Sequence, residues 1–385
     1  MPRVIIIGAG PVGATCALLA ARQGVGVTLL EARPGPSRET RTLALSHGSR
    51  EILESCGVWS GDLHATEIDS IHTSQRGGFG RMLLSRDDAG VPALGYVLSY
   101  ADLQTGLDLQ LEKQRFSILR GAEVSGFDDS VERIDVRFTH AGGAQTMSAD
   151  AVILADGGAN LGKVPTFRID EKDYGQSALL AHIGADKRHG GRAYERFTPE
   201  GPAALLPHGG EREYSMVWVS SHERIDELKA MDEAAFLAAF QTHFGNRAGQ
   251  FLRIENRRSF PLKLRTVASR VAGRIVVIGN AAQALHPVAG QGFNLGLRDA
   301  ADLSSRLAAL QASAPVAVPD VLRAYQDARA HDVDRSVGFT DFLVSAFSND
   351  HLLTRVPRGL GLTAMDMLPF ARRALARRML FGAQK

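Results

Sequence analysis

Four consecutive apolar residues, Val4 to Ile7, run straight into Gly8 near the start of the chain. A run this short, rich in β-branched side chains and stopped by glycine, predicts a strand buried on both faces. Apolar positions then recur at helical spacing from Ala14 to Gln23, and Val27 to Leu30 predicts a second strand ending at Glu31. Residues 1–32 therefore predict a strand–helix–strand unit. His47 to Gly57 predicts a helix closed by Gly57, and residues 99–120 a long amphipathic helix with a basic end. Ala151 to Leu154 predicts a buried strand stopping at Asp156-Gly157, and Arg274 to Ile278 another stopping at Gly279-Asn280. From Asp299 onward the pattern is helical, over Ala300–Ala314 and Val321–Phe347, with a basic helical tail after Asp350.

Two stretches break this rhythm. Residues 67–98 and 175–265 alternate apolar and polar positions, as in Tyr214 to Val219, which predicts antiparallel strands. The expected fold is α/β: a Rossmann-like domain with an inserted antiparallel-sheet domain and a C-terminal helical region. The expected boundaries are 1–66, 97–174 and 266–345 for the discontinuous nucleotide-binding domain, 67–96 and 175–265 for the insertion, and 346–385 for the tail.

Composition narrows the class little. The 385 residues are 44% hydrophobic and 22% charged, with a formal net charge of +2, so nothing attracts a nucleic acid. The two cysteines, Cys16 and Cys56, make neither a disulfide framework nor a metal site and are expected as small buried hydrophobes in a reducing cytosol. No run approaches the roughly 20 apolar residues of a membrane span, and no leader pattern stands at the N-terminus. The expected location is cytoplasmic, soluble or peripheral at the inner face of a membrane.

The first chemistry lies at Gly8-Ala9-Gly10-Pro11-Val12-Gly13. Gly8 allows the tight turn, Gly10 leaves room for a pyrophosphate, and Gly13 lets helix and strand approach. The helix N-terminus offers free N–H groups and positive dipole density. Glu31, followed by Ala32 and Arg33, can accept from ribose hydroxyls and disfavours a 2′-phosphate. This pattern alone leaves FAD and NAD open. A second loop, Arg274 to Asp299, leads from a strand end through Gly279-Asn280, His286-Pro287, Gly290, Gln291 and Gly292 into a helix at Phe293-Asn294. A helix N-terminus there suits the anionic charge of a reduced flavin, which selects FAD.

The second loop, with Arg41-Thr-Leu-Ala-Leu45, Gly57-Val-Trp59, Ala155-Asp-Gly157, Gly191 to Phe197 and Gly201 to Pro207, resembles the flavoprotein aromatic hydroxylases of the p-hydroxybenzoate hydroxylase type. Within that group it is most similar to the ubiquinone-biosynthesis branch, nearest the 2-octaprenyl-6-methoxyphenol hydroxylases. The resemblance spans nearly the whole chain. It implies that Gly8, Gly10, Pro11, Val12, Gly13, Glu31, Ala32, Arg33, Arg41, Gln104, Asp156, Gly157, Gly279, Asn280, Pro287, Gly290, Gly292, Phe293 and Asn294 hold FAD. His286, Pro287, Gly290 and Gln291 would then lie nearest the flavin, although His286, with no paired base or acid in the pattern, is better suited to bonding its own loop. Two departures stand out. Asn280 replaces the usual aspartate, and Gly158-Ala-Asn-Leu-Gly-Lys163 replaces the usual serine and arginine after the Asp-Gly pair, with Lys163 as the nearest basic residue.

The reaction so implied is hydroxylation of a polyprenylated phenol in ubiquinone biosynthesis. NADH or NADPH is the transient donor, and O₂ is taken up through a flavin C4a-hydroperoxide. Tyr174, Gln176, Tyr194 and Phe197 are candidates to line the pocket, while Glu195 and Arg196 are expected as a solvated or inter-strand pair. The alternatives are a flavin-dependent reductase or dehydrogenase of an isoprenoid or aromatic substrate, and a FAD-stabilised non-catalytic subunit of a biosynthetic complex. A halogenase is disfavoured, since Trp59 and Trp218 are the only tryptophans. The tail interleaves arginines with Leu360, Met367, Leu368 and Phe370, which suits an anionic membrane surface, a partner, or packing on the nucleotide-binding domain. A homo-oligomer or a place in a ubiquinone-biosynthesis complex stays open.

Overall fold

In the computed structural model, which describes residues 2–37, 39–60, 63–284, 290–309, 318–347 and 352–382, the first apolar run becomes the centre of a parallel sheet. With strands and helices numbered along the chain, β1 (Arg3–Ile7), α1 (Pro11–Arg22) and β2 (Gly26–Glu31) form the predicted opening unit. β1 pairs in parallel with β2 on one side and with β12 (Ala151–Leu154) on the other. The sheet has six strands, in the order β18 (Val271–Ala272), β19 (Ile275–Val277), β12, β1, β2, β8 (Ser117–Arg120).

Both faces of this sheet are covered, which is why β1 has no polar alternation. Val4 and Ile6 pack with α1, α4 (Tyr100–Glu112), α7 (Gln291–Ala309) and α8 (Val318–Phe347). Ile5 and Ile7 pack instead under a three-stranded meander of β9 (Glu123–Asp129), β10 (Ile134–His140) and β11 (Gly143–Ala149), through Ile134, Val136 and Phe138.

The second sheet has eight strands, ordered β20 (Gln283–Ala284), β17 (Phe251–Val267), β13 (Ile169–Ala185), β16 (Glu213–Ser221), β15 (Ala203–Pro207), β14 (Arg192–Phe197), β5 (Ser70–Gln75), β6 (Arg81–Ser85). Its pairings are antiparallel except β14 with β5. One face carries α5 (His222–Ala230) and α6 (Glu233–Phe244), packed on Leu179, Ala181, Ile183, Met216 and Trp218. A small sheet of β3 (Thr42–Ser46), β7 (Gly95–Ser99) and β4 (Thr66–Ile68) lies at the junction, with α2 (His47–Ser55) and α3 (Arg86–Ala89) beside it. α9 (Leu352–Met367) packs on β5 and β6, and α10 (Pro369–Phe381) on α2, α3 and β3.

The structure redraws several expected elements. The helix expected over 99–120 ends at Glu112, because Ser117 to Arg120 is captured as an edge strand in parallel register with Thr28 to Glu31. The boundaries set at 96/97 and 174/175 fall inside β7 and β13. The whole of β13 runs against β17 from Ile169 to Ala185, so the second chain segment of the eight-stranded sheet begins six residues earlier, at Ile169 instead of 175. The tail is docked on the protein: Ala376 and Leu380 are buried, and Arg372 pairs with Asp88 at 3.1 Å. Cys16 and Cys56 are buried thiols, pushed by desolvation up to about 12 and about 11 respectively. No helix among the described residues is long and apolar enough to cross a membrane, and no metal-binding group of residues occurs among them.

Candidate active site

The glycine turn is built as the spacing demands. Gly8 has φ +101°, a conformation that side chains rarely adopt, and a Cβ on Gly13 would lie 1.9 Å from the Gly8 carbonyl oxygen. Gly10 is different: the nearest atom to a Cβ there is the Tyr100 hydroxyl, at 3.7 Å. Gly13 is therefore a packing glycine, whereas Gly10 borders open space at the start of α1. Gly10 caps α1 without a side-chain hydrogen bond, Pro11 follows, and the first turn holds no acid, so its N–H groups remain available to an anion.

The Ala9 peptide is clamped from both sides. Its N–H donates to Glu31 Oε2 at 2.7 Å, and its carbonyl accepts from Gln104 Nε2 at 2.9 Å. The Gln104 Oε1 atom is buried without a partner among the described residues. Burial opposes charge on Glu31, but hydrogen bonds from Arg33 and Ala9 hold its carboxyl below the usual range. Arg33 Nε sits 2.9 Å from Glu31 Oε1, closing the acidic cap, while Ala32 is exposed. The Arg41 guanidinium lies over the Tyr100 ring, 5.2 Å from its centroid, and the Arg41 carbonyl accepts from the Tyr100 N–H. Tyr100 thus joins Gly10 to Arg41, a role that sequence reading missed.

The Val12 side chain is committed to packing. It is the key between the two glycine loops: a Cβ on Gly279 would meet Val12 Cγ1 at 3.0 Å, and one on Gly296 would meet Val12 Cγ2 at 2.9 Å. Asp156 is also committed locally, accepting from the N–H groups of Gly158 and Asn160, each at 2.9 Å. Lys163 donates to the Val124 carbonyl and, at 2.7 Å, to Asn160 Oδ1. It anchors β9 and does not supply a basic end to this loop. That charge comes from Arg265 on β17, whose Nη2 donates to the Gly157 carbonyl and, at 2.8 Å, to the Asn280 carbonyl. Asn280 itself is exposed.

The second loop is pinned by two buried groups. Asn294 Oδ1 accepts from the Ser46 N–H at 2.8 Å, and its Nδ2 donates to the carbonyls of Gly290 at 2.7 Å and Ala44 at 3.1 Å. Its amide is a brace, not a free contact for a ligand. Asp299, fully buried, accepts from Gly279 N–H at 3.2 Å, Gln283 Nε2 at 2.8 Å, Arg270 Nη1 at 3.3 Å and Arg329 Nε at 2.8 Å. Arg329 and Arg298 in turn pair with Asp332 at 2.7 and 3.0 Å. Gln291 is buried, Gly292 is half-buried, and Phe293 packs on the core of the parallel sheet. His286 and Pro287 lie outside the described residues.

Across from this loop stands the face of the eight-stranded sheet turned away from α5 and α6. Thr42 Oγ1 lies 3.3 Å from His182 Nε2, and a Cβ on Gly290 would be 3.5 Å from the Ala44 side chain, so β3 touches both the loop and the sheet. Side chains alternate along β13, and Gln176, Ala178, Leu180 and His182 share this face. The register continues it through Val217 and Val219 on β16 and Ala204 on β15. Gln176 Oε1 is buried without a partner among the described residues. Tyr174 packs with Ala178, Val219 and Leu262 on the same side. Tyr194 does not belong here: it points into the opposite core, stacked edgewise on Phe244 and Tyr214. Phe197, two along from Glu195, does share the cleft face.

These features fit FAD. The open space at Gly10, the uncapped N-terminus of α1, Glu31 and the unpartnered Gln104 oxygen suit the adenosine diphosphate end. The loop at Gly279 to Asn294 suits the flavin end, against an apolar sheet face.

Comparison with known proteins agrees. Residues 1–340 match the family described as FAD binding domain. The chain is 30% identical to ubiquinone hydroxylase UbiL of Rhodospirillum rubrum over 375 residues, covering 95% of this chain and 86% of the relative. It is also 30% identical to 3-demethoxyubiquinol 3-hydroxylase of Escherichia coli, covering 94% of each. In fold it is similar to p-nitrophenol 4-monooxygenase PnpA of Pseudomonas putida (TM-score 0.77, 18% identity, 100% of each chain). A second similar structure is PqsL of Pseudomonas aeruginosa in complex with 2-aminobenzoylacetate (TM-score 0.78, 19% identity, 94% of this chain and 99% of that one). With its glycine cradle, braced second loop and covering sheet, the chain belongs to the FAD binding domain family, in the flavin-dependent monooxygenase group that holds the ubiquinone hydroxylases.

Proposed function

We propose that this FAD-dependent monooxygenase hydroxylates the ring of a polyprenylated phenol in ubiquinone biosynthesis. The observation that carries the reading is the sheet face opposite the Gly290–Asn294 loop. Ala178, Leu180, Val217, Val219 and Leu262 present an apolar wall suited to a ring bearing an isoprenoid chain. The group FAD supplies the redox chemistry when bound, passing electrons from NADH or NADPH to O₂ and one oxygen atom to the ring. The chain orients the partners. Gly8 to Gly13 and Glu31 would fix the nucleotide end, and the backbone N–H groups at the start of α7, held by the Asn294 brace, would serve the flavin end. The apolar wall excludes water from the reacting atoms. Incubating the FAD-loaded protein with NAD(P)H, O₂ and a 2-alkyl-6-methoxyphenol tests the reading. A product heavier by one oxygen supports it, and reductant consumption without oxygen insertion across several phenols overturns it.

The substrate's chain also accounts for the tail. Leu360, Met367, Leu368 and Phe370 are 57%, 74%, 42% and 70% exposed, and Phe79 beside α9 is 51% exposed. Arg373 and Arg377 stand on α10 near them. Apolar side chains among arginines suit peripheral contact with an anionic membrane from which a lipid-like phenol is drawn.

A further inference from the structure

The strand Arg192–Phe197 holds a carboxylate, Glu195, that the sequence suggested as half of a solvated or inter-strand pair with Arg196. In the register of the eight-stranded sheet, Glu195 stands opposite Ala204 on β15 and Thr73 on β5. Ala204 stands opposite Val217, and Val217 opposite Leu180. Glu195 therefore lies in one cross-strand row with the apolar wall of the cleft, on the face turned away from α5 and α6. It is only half-buried by exposure, yet the protein surrounds it closely enough that desolvation alone pushes its carboxyl up to about 7. A group that is partly accessible but densely surrounded lines a concave wall. It has no hydrogen-bond or ionic partner among the described residues.

Among the described residues, no charged group offsets the burial of its carboxyl. Ala193 and Phe197 share its face on β14, and Ile71 and Gln75 on β5. Arg192, Arg196 and His72 project from the opposite face of the same two strands. α9, packed on β5 and β6, carries Arg355, Arg358 and Asp366, of which Asp366 accepts from the Leu83 N–H at 2.9 Å. A lone carboxylate on an apolar wall is costly unless it meets a donor.

We propose that Glu195 is a catalytic residue that receives the hydroxyl proton of the phenol substrate, a role that rests on the phenol-hydroxylase reading above. One proton moves. The phenolic O–H bond breaks, an O–H bond forms on the Glu195 carboxylate, and the electron pair stays on the phenol oxygen, enriching the ring carbons that must accept oxygen. No electron is transferred in this step, and the proton returns to the product oxygen. An acceptor titrating near the working pH is matched to that exchange.

The test uses FAD-loaded, unreduced protein, titrated with a 2-alkylphenol and with its O-methyl ether, binding being read from the flavin absorbance between pH 6 and pH 8. As pH rises through 7 the carboxylate ionises and accepts a charge-assisted hydrogen bond from the phenol. Phenol affinity is expected to rise, on the order of tenfold. The ether offers no proton, so its affinity falls over the same range. Glu195→Gln flattens both curves while FAD content is kept, and lowers kcat on the order of 100-fold. Parallel curves for phenol and ether in the wild-type protein overturn the proposal, as does a rise retained in Glu195→Gln. The wild-type comparison is decisive even if that variant fails to fold. Phenol binding and hydroxylation with a flat wild-type pH curve overturn Glu195 alone. Absence of any phenol binding overturns both this role and the function it rests on.

Discussion

The Ser46 N–H donates to Asn294 Oδ1 at 2.8 Å, joining the strand before α2 to the helix that begins at the second glycine loop. The same amide holds the carbonyls of Gly290 and Ala44. One buried and two part-buried backbone groups thus depend on one side chain. Asn294→Leu leaves them unpaired, at a cost of about 1–3 kcal/mol for each group that finds no other partner. Thermal unfolding is expected at a lower temperature, with weakened FAD retention on gel filtration. Asn294→Asp keeps the bond from Ser46 but sets a carboxylate against two carbonyls, so it is expected to fare little better.

The two inner glycines separate packing from ligand space. A methyl at Gly13 meets the Gly8 carbonyl at 1.9 Å, so Gly13→Ala forces α1 off the sheet. Its expected outcome is poor folding even without cofactor. A methyl at Gly10 meets nothing closer than 3.7 Å. Gly10→Ala is therefore expected to fold with near wild-type stability and to bind FAD at least tenfold more weakly. Denaturation of the apoproteins, followed by FAD titration, distinguishes the two.

Asp299 is held below the ordinary aspartate range: burial alone would raise it, and Arg270 and Arg329 more than reverse that. A carboxyl lowered in the folded state contributes stability above its unfolded pKa, about 4, and loses it as pH falls through the lower folded value. The contribution is expected to be constant from pH 5 to 8 and to vanish only in stronger acid. Asp299→Asn leaves two buried guanidinium groups short of a counter-charge and costs about 3–5 kcal/mol at pH 7. Urea melts at pH 7 and pH 3 check both statements, the gap between wild type and variant narrowing at pH 3.

The exposed tail side chains give a membrane prediction. Met367→Glu with Phe370→Glu removes two large apolar groups from the surface without touching the buried Ala376 and Leu380. Co-sedimentation with anionic vesicles is expected to fall several-fold, with turnover of a short-chain phenol unchanged. Equal sedimentation of wild type and variant would refute the membrane contact.

The first βαβ unit was legible because its information is local. A short apolar run, glycines at fixed spacing and a terminal Glu31 define strand, turn and acidic cap within about 30 residues. Even so, the spacing did not distinguish Gly13, which packs, from Gly10, which borders open space, and it did not show that the Val12 side chain packs on Gly279 or that the Asn294 amide braces Ser46, Ala44 and Gly290. The helix expected through residue 120 failed because β8 exists only by pairing with β2, a partner nearly ninety positions away. Arg265 and Tyr100 were invisible for the same reason: their partners, Gly157 and Asn280 for one and Arg41 for the other, are remote in sequence.

Glu195 marks the division most clearly. Its parity was readable, since Ala193, Glu195 and Phe197 alternate with Arg192, Tyr194 and Arg196. The sequence by itself determined the dinucleotide cradle, the choice of FAD and the family, all written in contiguous residues whose backbone geometry follows from glycine and strand spacing. Only the tertiary structure decided which strand face lines the cleft, which arginine serves the Asp156-Gly157 loop, and that the Glu195 carboxyl has no partner among the described residues. Those are facts of register and burial, and register is set by cross-strand partners that no local pattern names.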